Sequence, residues 1–263
     1  MSGLHAQQPA RPLVIAHRGA SGIAPENTLA AIRKAMETGV NMIEIDVHLT
    51  RDMQVVVVHD YTIDRTTNGS GKIKNLDFSQ IRAFDAGRWF SAEYAGERIP
   101  SLDEVLSLVN GRHKLLIEIK PSRTNDKHTE MKVLESIRSH HAQFWCIIQS
   151  FSPKVLQNMR MLDPVVELHQ LVVGDVPLLP LHYHQTLAGG SFTQYRHVSA
   201  VNPNHRFASK RKINKLHKRG QRILVWTVDD PQVMEDMIAK GVDGIITNHP
   251  ERLINILRTK GLM

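Results

Sequence analysis

Short apolar runs alternate with helical patterns along the whole chain. Runs near residues 12–16, 42–48, 114–119, 145–149, 166–172, 197–201, 222–226 and 243–246 read as strands. Amphipathic helical patterns follow most of them, near 28–38, 102–110, 127–141, 152–162, 208–219, 231–240 and 250–260, with Asn27, Ser101, Ser152 and Asp230 as candidate N-caps. This alternation predicts βα units and a parallel sheet. Eight such units predict a (β/α)8 TIM barrel, in which functional residues collect at the C-terminal ends of several strands. A doubly wound open sheet is the alternative; it needs a Gly-rich phosphate loop, and HRGASG at 17–22 is not one. The fifth unit is weakly marked, because residues 174–192 are rich in Pro, Leu, Gly and His and show no helical period. Residues 61–100 do not fit a simple βα connection. Turn signals such as Asn68-Gly69 make them an expected insertion over the barrel mouth, within a single domain spanning residues 1–263.

Candidate chemistry concentrates at the strand ends. In EIDVHLTRDMQVVVVHD, residues 44–60, Glu44 and Asp46 lie two apart and so share one face of a strand whose other face, Ile43, Ile45 and Val47, reads as core. Two carboxylates held side by side in an apolar setting repel each other and lose hydration, so a cation or several donors must compensate them. A divalent metal site is the economical reading; a partly solvated strand end whose acids meet arginines is the plainer one. KLLIEIKP, residues 114–121, repeats the pattern with Glu118 and Lys120, and His17 and Arg18 follow the apolar run Leu13 to Ala16. Three consecutive strands thus end in ionisable groups. Oxygen ligands of this kind suit Mg²⁺ or Ca²⁺, although His48 and His59 lie near enough in sequence to leave zinc or manganese open.

Composition narrows the partners. With 263 residues the chain has room for a sizeable core, and 33 Lys plus Arg against 26 Asp plus Glu give a formal net charge of +7. That favours anionic ligands. The basic residues are dispersed, the longest cluster, Lys210-Arg211-Lys212, reads as a solvated helix face, and aromatics at 5% offer few stacking platforms, so nucleic acid is not an expected partner. The single cysteine, Cys146, sits in an apolar run and reads as a small core residue. No stretch approaches the ~20 apolar residues of a membrane span, and the first residues lack a long apolar segment. A soluble cytoplasmic protein without stable membrane association is expected; oligomeric state is not legible.

Eight segments, in order, resemble the glycerophosphodiester phosphodiesterases, bacterial and cytoplasmic in type: HRGASGIAPENT at 17–28, the 44–60 segment, DRTTNGSG at 64–71, AGERIPSLDEVL at 95–106, EIKP at 118–121, QSF at 149–151, WTVDD at 226–230 and GVDGIITNHP at 241–250. The resemblance implies a TIM barrel with a small insertion after its second strand, one bound divalent cation, and hydrolysis of a small-molecule glycerophosphodiester to sn-glycerol 3-phosphate and an alcohol. It implies Glu44, Asp46 and Glu118 as metal ligands, His17 and His59 as the catalytic pair, and Arg18 and Lys120 as phosphate-binding groups. Two peripheral features depart from it: Asn248 follows Thr247 where many members carry an acid, and residues 174–192 match nothing distinctive.

A phosphodiester needs positive groups near its oxygens, one group to deprotonate the nucleophile and one to protonate the departing alkoxide, and histidine can do either near neutral pH. Which of His17 and His59 is acid and which is base is not readable from the sequence. Lys120 reads either as a phosphate ligand or as a salt bridge to Glu118 or Glu44. Glu26, with Asn27, reads either as a cap of the first helix or as a group recognising a substrate hydroxyl. Trp226 and Phe151 read either as core plugs or as an apolar wall against the glycerol carbons or leaving group. The alternative function is a lysophospholipase D or phosphoinositide-type phosphodiesterase on the same barrel, for which Val176 to Leu181 is a candidate lipid-contacting loop.

Overall fold

The computed structural model describes residues 11–121, 127–173 and 195–263. Eight parallel strands close into a barrel: β1 (Leu13–Ala16), β2 (Met42–Leu49), β4 (Lys114–Ile119), β5 (Cys146–Ser150), β6 (Glu167–Val172), β7 (Ala200–Pro203), β8 (Arg222–Val225) and β9 (Gly244–Thr247). Closure is explicit, because β1 pairs with β9 through Ala16 and Thr247 and with β2 through Ile15 and Met42. β3 (Val55–Val57) doubles back antiparallel on β2, with Val56 opposite His48. It was not separable from loop in the sequence, since three valines have no usable period. β7 starts at Ala200, later than the run near 197–201 suggests, because its inward position is the polar Asn202, which breaks the apolar signal.

The helices are α1 (Leu29–Thr38), α2 (Phe78–Ile81), α3 (Leu102–Val109), α4 (His128–Ser139), α5 (Pro153–Leu162), α6 (Lys210–His217), α7 (Pro231–Lys240) and α8 (Pro250–Thr259). Ser101, Ser152 and Asp230 cap α3, α5 and α7 as expected. The cap of α1 is Thr28, not Asn27: Thr28 Oγ1 accepts the Ala31 N–H at 3.2 Å, while Asn27 is left-handed (φ 58°) and turns its side chain toward β2. Asp230 accepts two N–H groups, from Gln232 and Val233. Asp230→Ala is therefore expected to cost about 1 kcal/mol and to lower the melting temperature by about 2–4 °C in a thermal scan.

Two apolar layers result from the period-2 alternation of the strands. Ile43, Ile45, Val47, Leu115 and Ile117 point outward into one continuous core with helix residues such as Ile32, Ala35 and Leu106. Ile15, Met42, Leu116, Ile147, Ala200, Leu224 and Ile246 fill the lower interior of the barrel and form a dry floor. Residues 61–100 gather on a small apolar cluster of Val56, Val58, Ile63, Ile73, Ile81, Ala86 and Ile99. Gly87 is required there, since a Cβ would come within 1.9 Å of the Tyr94 carbonyl oxygen. α6 buries Ile213 and Leu216 and turns Lys210, Arg211 and Lys215 to solvent. Cys146 is buried in the outer core, and its thiol is pushed up by burial alone. No helix among the described residues is long and apolar enough to cross a membrane. The weakly marked fifth unit at 174–192, including Val176 to Leu181, lies outside the described residues.

Candidate active site

The parallel register of β2 and β4 sets Asp46 beside Glu118, and Glu44 lies one inward position before Asp46. Neighbouring strands are about 4.8 Å apart, so three inward carboxylates at these positions must meet. They do: Glu44, Asp46 and Glu118 are all buried and offer oxygens within 4.8 Å of one another. His48, though on the same strand, joins no such cluster among the described residues. Its Nε2 lies 3.0 Å from the His59 carbonyl oxygen and its ring stands edge-on to Tyr61.

The charges around the cluster do not balance. Lys120 Nζ lies 2.7 Å from Asp46 and 2.6 Å from Glu118; its second partner is thus Asp46 rather than Glu44. Arg18 Nε lies 3.4 Å from Asp46, but the same guanidinium also donates to Glu26 at 2.8 Å. Among the described residues Glu44 receives only neutral donors, the Arg18 backbone N–H at 2.9 Å and the Gln149 amide at 3.1 Å. The titration preferences follow. Asp46 is held well below the usual carboxylate range, because Lys120 and Arg18 outweigh its burial. Glu44 is pushed well above it by burial and by the charges of Asp46 and Glu118, and Glu118 is raised to about 7 by burial, against Lys120. Three ionised carboxylates in this space need more positive charge than the two side chains give. The donor set, three carboxylate oxygens on adjacent strands, fits one hard divalent ion.

His17 leaves the end of β1, where Gly19 (φ 78°) permits a turn so tight that a Cβ would lie 2.7 Å from Ala31. His17 Nδ1 is 2.6 Å from Asn248 Oδ1. His59, beyond β3, has its Nδ1 2.6 Å from Asp60 Oδ1. Asp60 in turn accepts from Arg65 at 2.7 Å, which with His59 holds its carboxyl at about 2. Burial is the largest influence on both rings and lowers both, His17 to about 4, with Arg18 as its next cause. The two histidines, Arg18, Glu44, Glu118, Lys120, Phe151 and Trp226 all line one cleft of about 500 Å³ including its open mouth. Phe151 and Trp226 meet edge to face at 5.5 Å, and the indole N–H donates to the Asn202 carbonyl at 2.7 Å, which fixes the ring as a wall.

Glu26 is placed differently from the other expected site residues. It does not line the cleft, and its oxygens are held by Arg65, at 2.7 and 2.9 Å, and by Arg18. In this arrangement its carboxylate orders Arg18 and Arg65 at the rim of the cleft. Sequence reasoning did not find several polar contacts: Asn27 to Asp46 at 2.9 Å, Gln149 to Glu44, Asp60 to His59, Arg65 to Asp60, and Asn248 to His17. Only Asp60 and Arg65 carried a usable signal, an acid directly after His59 and a base five positions on.

The model of the glycerophosphoryl diester phosphodiesterase family matches residues 17–252. A glycerophosphodiester phosphodiesterase of Caldanaerobacter subterraneus is 38% identical over 95% of this chain and 100% of its own length. The chain belongs to the glycerophosphoryl diester phosphodiesterase family. It is an enzyme of phosphodiester hydrolysis on a TIM barrel. Two solved structures agree in fold over nearly the whole chain. An Oleispira antarctica phosphodiesterase in complex with the product sn-glycerol-3-phosphate has a TM-score of 0.83 at 27% identity, covering 94% of this chain and 97% of that one. A glycerophosphodiester phosphodiesterase from Agrobacterium tumefaciens has a TM-score of 0.78 at 28% identity, covering 93% and 99%. The cleft at the C-terminal rim of the barrel gathers the ionisable groups His17, Arg18, Glu44, His59, Glu118 and Lys120.

Proposed function

We propose that the enzyme hydrolyses small glycerophosphodiesters to sn-glycerol 3-phosphate and an alcohol with one divalent ion, Mg²⁺ or Ca²⁺, held by Glu44, Asp46 and Glu118, and with His17 and His59 as general base and general acid. The observation that carries this reading is the cluster of three buried carboxylates, two of which, Glu44 and Glu118, line the same cleft as both histidines, with Asp46 buried behind them. When bound, the ion supplies Lewis-acid polarisation of a phosphoryl oxygen. Arg18 and Lys120 border the same space and offer positive charge to the remaining oxygens. Their carboxylate partners keep Lys120 charged despite burial.

The histidine roles follow from what backs each ring. Burial and the Arg18 charge keep the His17 ring neutral, and the amide behind it brings no opposing charge, so its Nε2 lone pair is ready to take the proton of the attacking oxygen. The His59 ring is also lowered on balance by burial, but its carboxylate partner opposes that lowering. His59, rather than His17, thus has a hydrogen-bonded charged group that stabilises its protonated form, the form that gives its Nε2 proton to the leaving alkoxide. Phe151 and Trp226 form an apolar wall suited to the glycerol carbons or the leaving group, and exclude water on that side.

Incubating the purified protein with glycerophosphocholine or glycerophosphoethanolamine is expected to release glycerol 3-phosphate, to stop with chelator, and to resume with added Mg²⁺ or Ca²⁺. Release undiminished in chelator would remove the metal from the reading. No release from any glycerophosphodiester under either condition would remove the substrate class.

A further inference from the structure

His17 is only the near end of a hydrogen-bonded chain. Beyond it, Asn248 Oδ1 also accepts from Ser21 Oγ at 2.7 Å, and Asn248 Nδ2 donates to Asp229 Oδ2 at 2.7 Å. Asp229 Oδ1 accepts the Asn248 backbone N–H at 2.8 Å and the Thr247 hydroxyl at 3.0 Å. Both oxygens of Asp229 are thus acceptors here, so Asp229 dictates which way the Asn248 amide faces. Its NH₂ must point to Asp229 and its oxygen to His17. An amide oxygen only accepts as well, so the His17 nitrogen at 2.6 Å must carry the proton. The direction of every bond in the chain follows from a single fixed acceptor at its far end.

We propose that Asn248, oriented by Asp229, is a positioning residue that locks His17 in the Nδ1–H tautomer and leaves its Nε2 unprotonated toward the substrate. The inference deepens the proposed function and rests on its assignment of His17 as base. In the step it serves, the proton of the attacking oxygen passes to Nε2, and the resulting imidazolium keeps its Nδ1–H on Asn248. The amide adds no charge behind the ring, so the ring is neutral before attack. The charged groups facing His17 are Arg18 on its own turn, Asp46 on β2 and Lys120 after β4, with Glu44, Glu118 and His59 across the cleft; burial and Arg18 further favour the neutral ring. The same task of fixing a ring is given to a carboxylate for His59, so the two histidines differ in backing charge and not in tautomer.

Three variants and one spectrum test this. Ring ¹⁵N correlation spectra of histidine-labelled protein, read against a His17→Gln control for assignment, are expected to show His17 as the Nδ1–H form, and to show both tautomers in Asn248→Ala. In Asn248→Ala, kcat is expected to fall by about 10–10²-fold with KM little changed, the usual cost of losing an orienting partner behind a functional side chain. The double variant Asp229→Asn/Asn248→Asp keeps every hydrogen bond but reverses the polarity: the introduced amide donates to the introduced carboxylate, which still accepts from His17. It is expected to recover much of the lost kcat and to move the acid limb of the kcat/KM profile up by about one pH unit or more, because a carboxylate now stabilises the imidazolium.

A spectrum with the proton on Nε2 in the parent protein, or a tautomer unchanged in Asn248→Ala, overturns the proposal. So does a double variant that regains turnover with its acid limb unmoved, since purely structural support would behave in that way. The spectra do not depend on turnover. A protein with the expected tautomer but no glycerophosphodiester hydrolysis would therefore break the functional reading and leave the positioning intact.

Discussion

Glu44→Gln, Asp46→Asn and Glu118→Gln are each expected to lower turnover by about 10³-fold or more, the loss that follows when several kcal/mol of charge stabilisation by a bound ion are withdrawn. Their effects on the metal-free fold should diverge. Glu44 and Glu118 have folded-state affinities for a proton raised by burial and by neighbouring carboxylates, so neutralising either relieves repulsion. Asp46 is the acid that Lys120 and Arg18 stabilise, so Asp46→Asn leaves the buried Lys120 with Glu118 alone and should lower heat stability. Calorimetry would read the metal affinity and thermal scans the stability. Near-parental turnover and affinity in all three variants would place the ion, if any, elsewhere.

The same groups give the metal-free enzyme a signed pH dependence. Glu118 titrates near 4.5 when unfolded and at about 7 when folded. Between those values the folded state binds more protons than the unfolded one, so stability falls as pH rises through that window. The contribution, about 3 kcal/mol from Glu118, should be absent from Glu118→Gln. Asp46 acts in the opposite sense. Its folded value is depressed, so its contribution is present above the unfolded value and is lost only in strong acid. Saturating divalent ion should flatten the loss from neutral to alkaline pH, because it compensates the ionised carboxylates and stabilises the folded state by mass action.

What could be read from the sequence divides by the range of the forces concerned. Glu44, Asp46 and Glu118 were legible because a buried strand repeats every two residues, and a carboxylate at an inward position of such a strand cannot be explained by propensity. Eight apolar runs with helical spacers gave the barrel for the same reason. His17 and His59 needed the resemblance of eight ordered segments, since an isolated histidine among fifteen says little. Asn27 looked like a helix cap, a role that Thr28 beside it performs equally well; its contact with Asp46 depends on a left-handed backbone that no local rule predicted. Asn248 lies 231 positions from His17 and meets it only because β9 closes the barrel against β1. The pairing of Glu26 with Arg65, from the 61–100 segment, was likewise not legible, because the two lie 39 positions apart. Long-range polar partners of this kind have no periodic signature.

His17→Ala and His59→Ala are each expected to lower turnover by about 10²–10⁴-fold while leaving metal affinity nearly unchanged, because neither ring belongs to the carboxylate cluster. They should separate on a substrate with a p-nitrophenol leaving group. That alkoxide departs with little need of a proton, so the variant lacking the acid should recover and the variant lacking the base should not. The proposed assignment fixes the outcome in advance: it makes His59, backed by Asp60 and Arg65, the proton donor and His17, backed by the Asn248 amide, the acceptor. Rescue should therefore appear in His59→Ala. Asp60→Asn should resemble it in milder form, losing rate on glycerophosphocholine but little on the activated ester, since an amide at that position no longer favours the imidazolium. Rescue of His17→Ala instead would exchange the two roles. Loss of metal binding in both variants would make the histidines ligands, favour a transition metal over Mg²⁺ or Ca²⁺, and send the search for acid and base to other residues of the cleft.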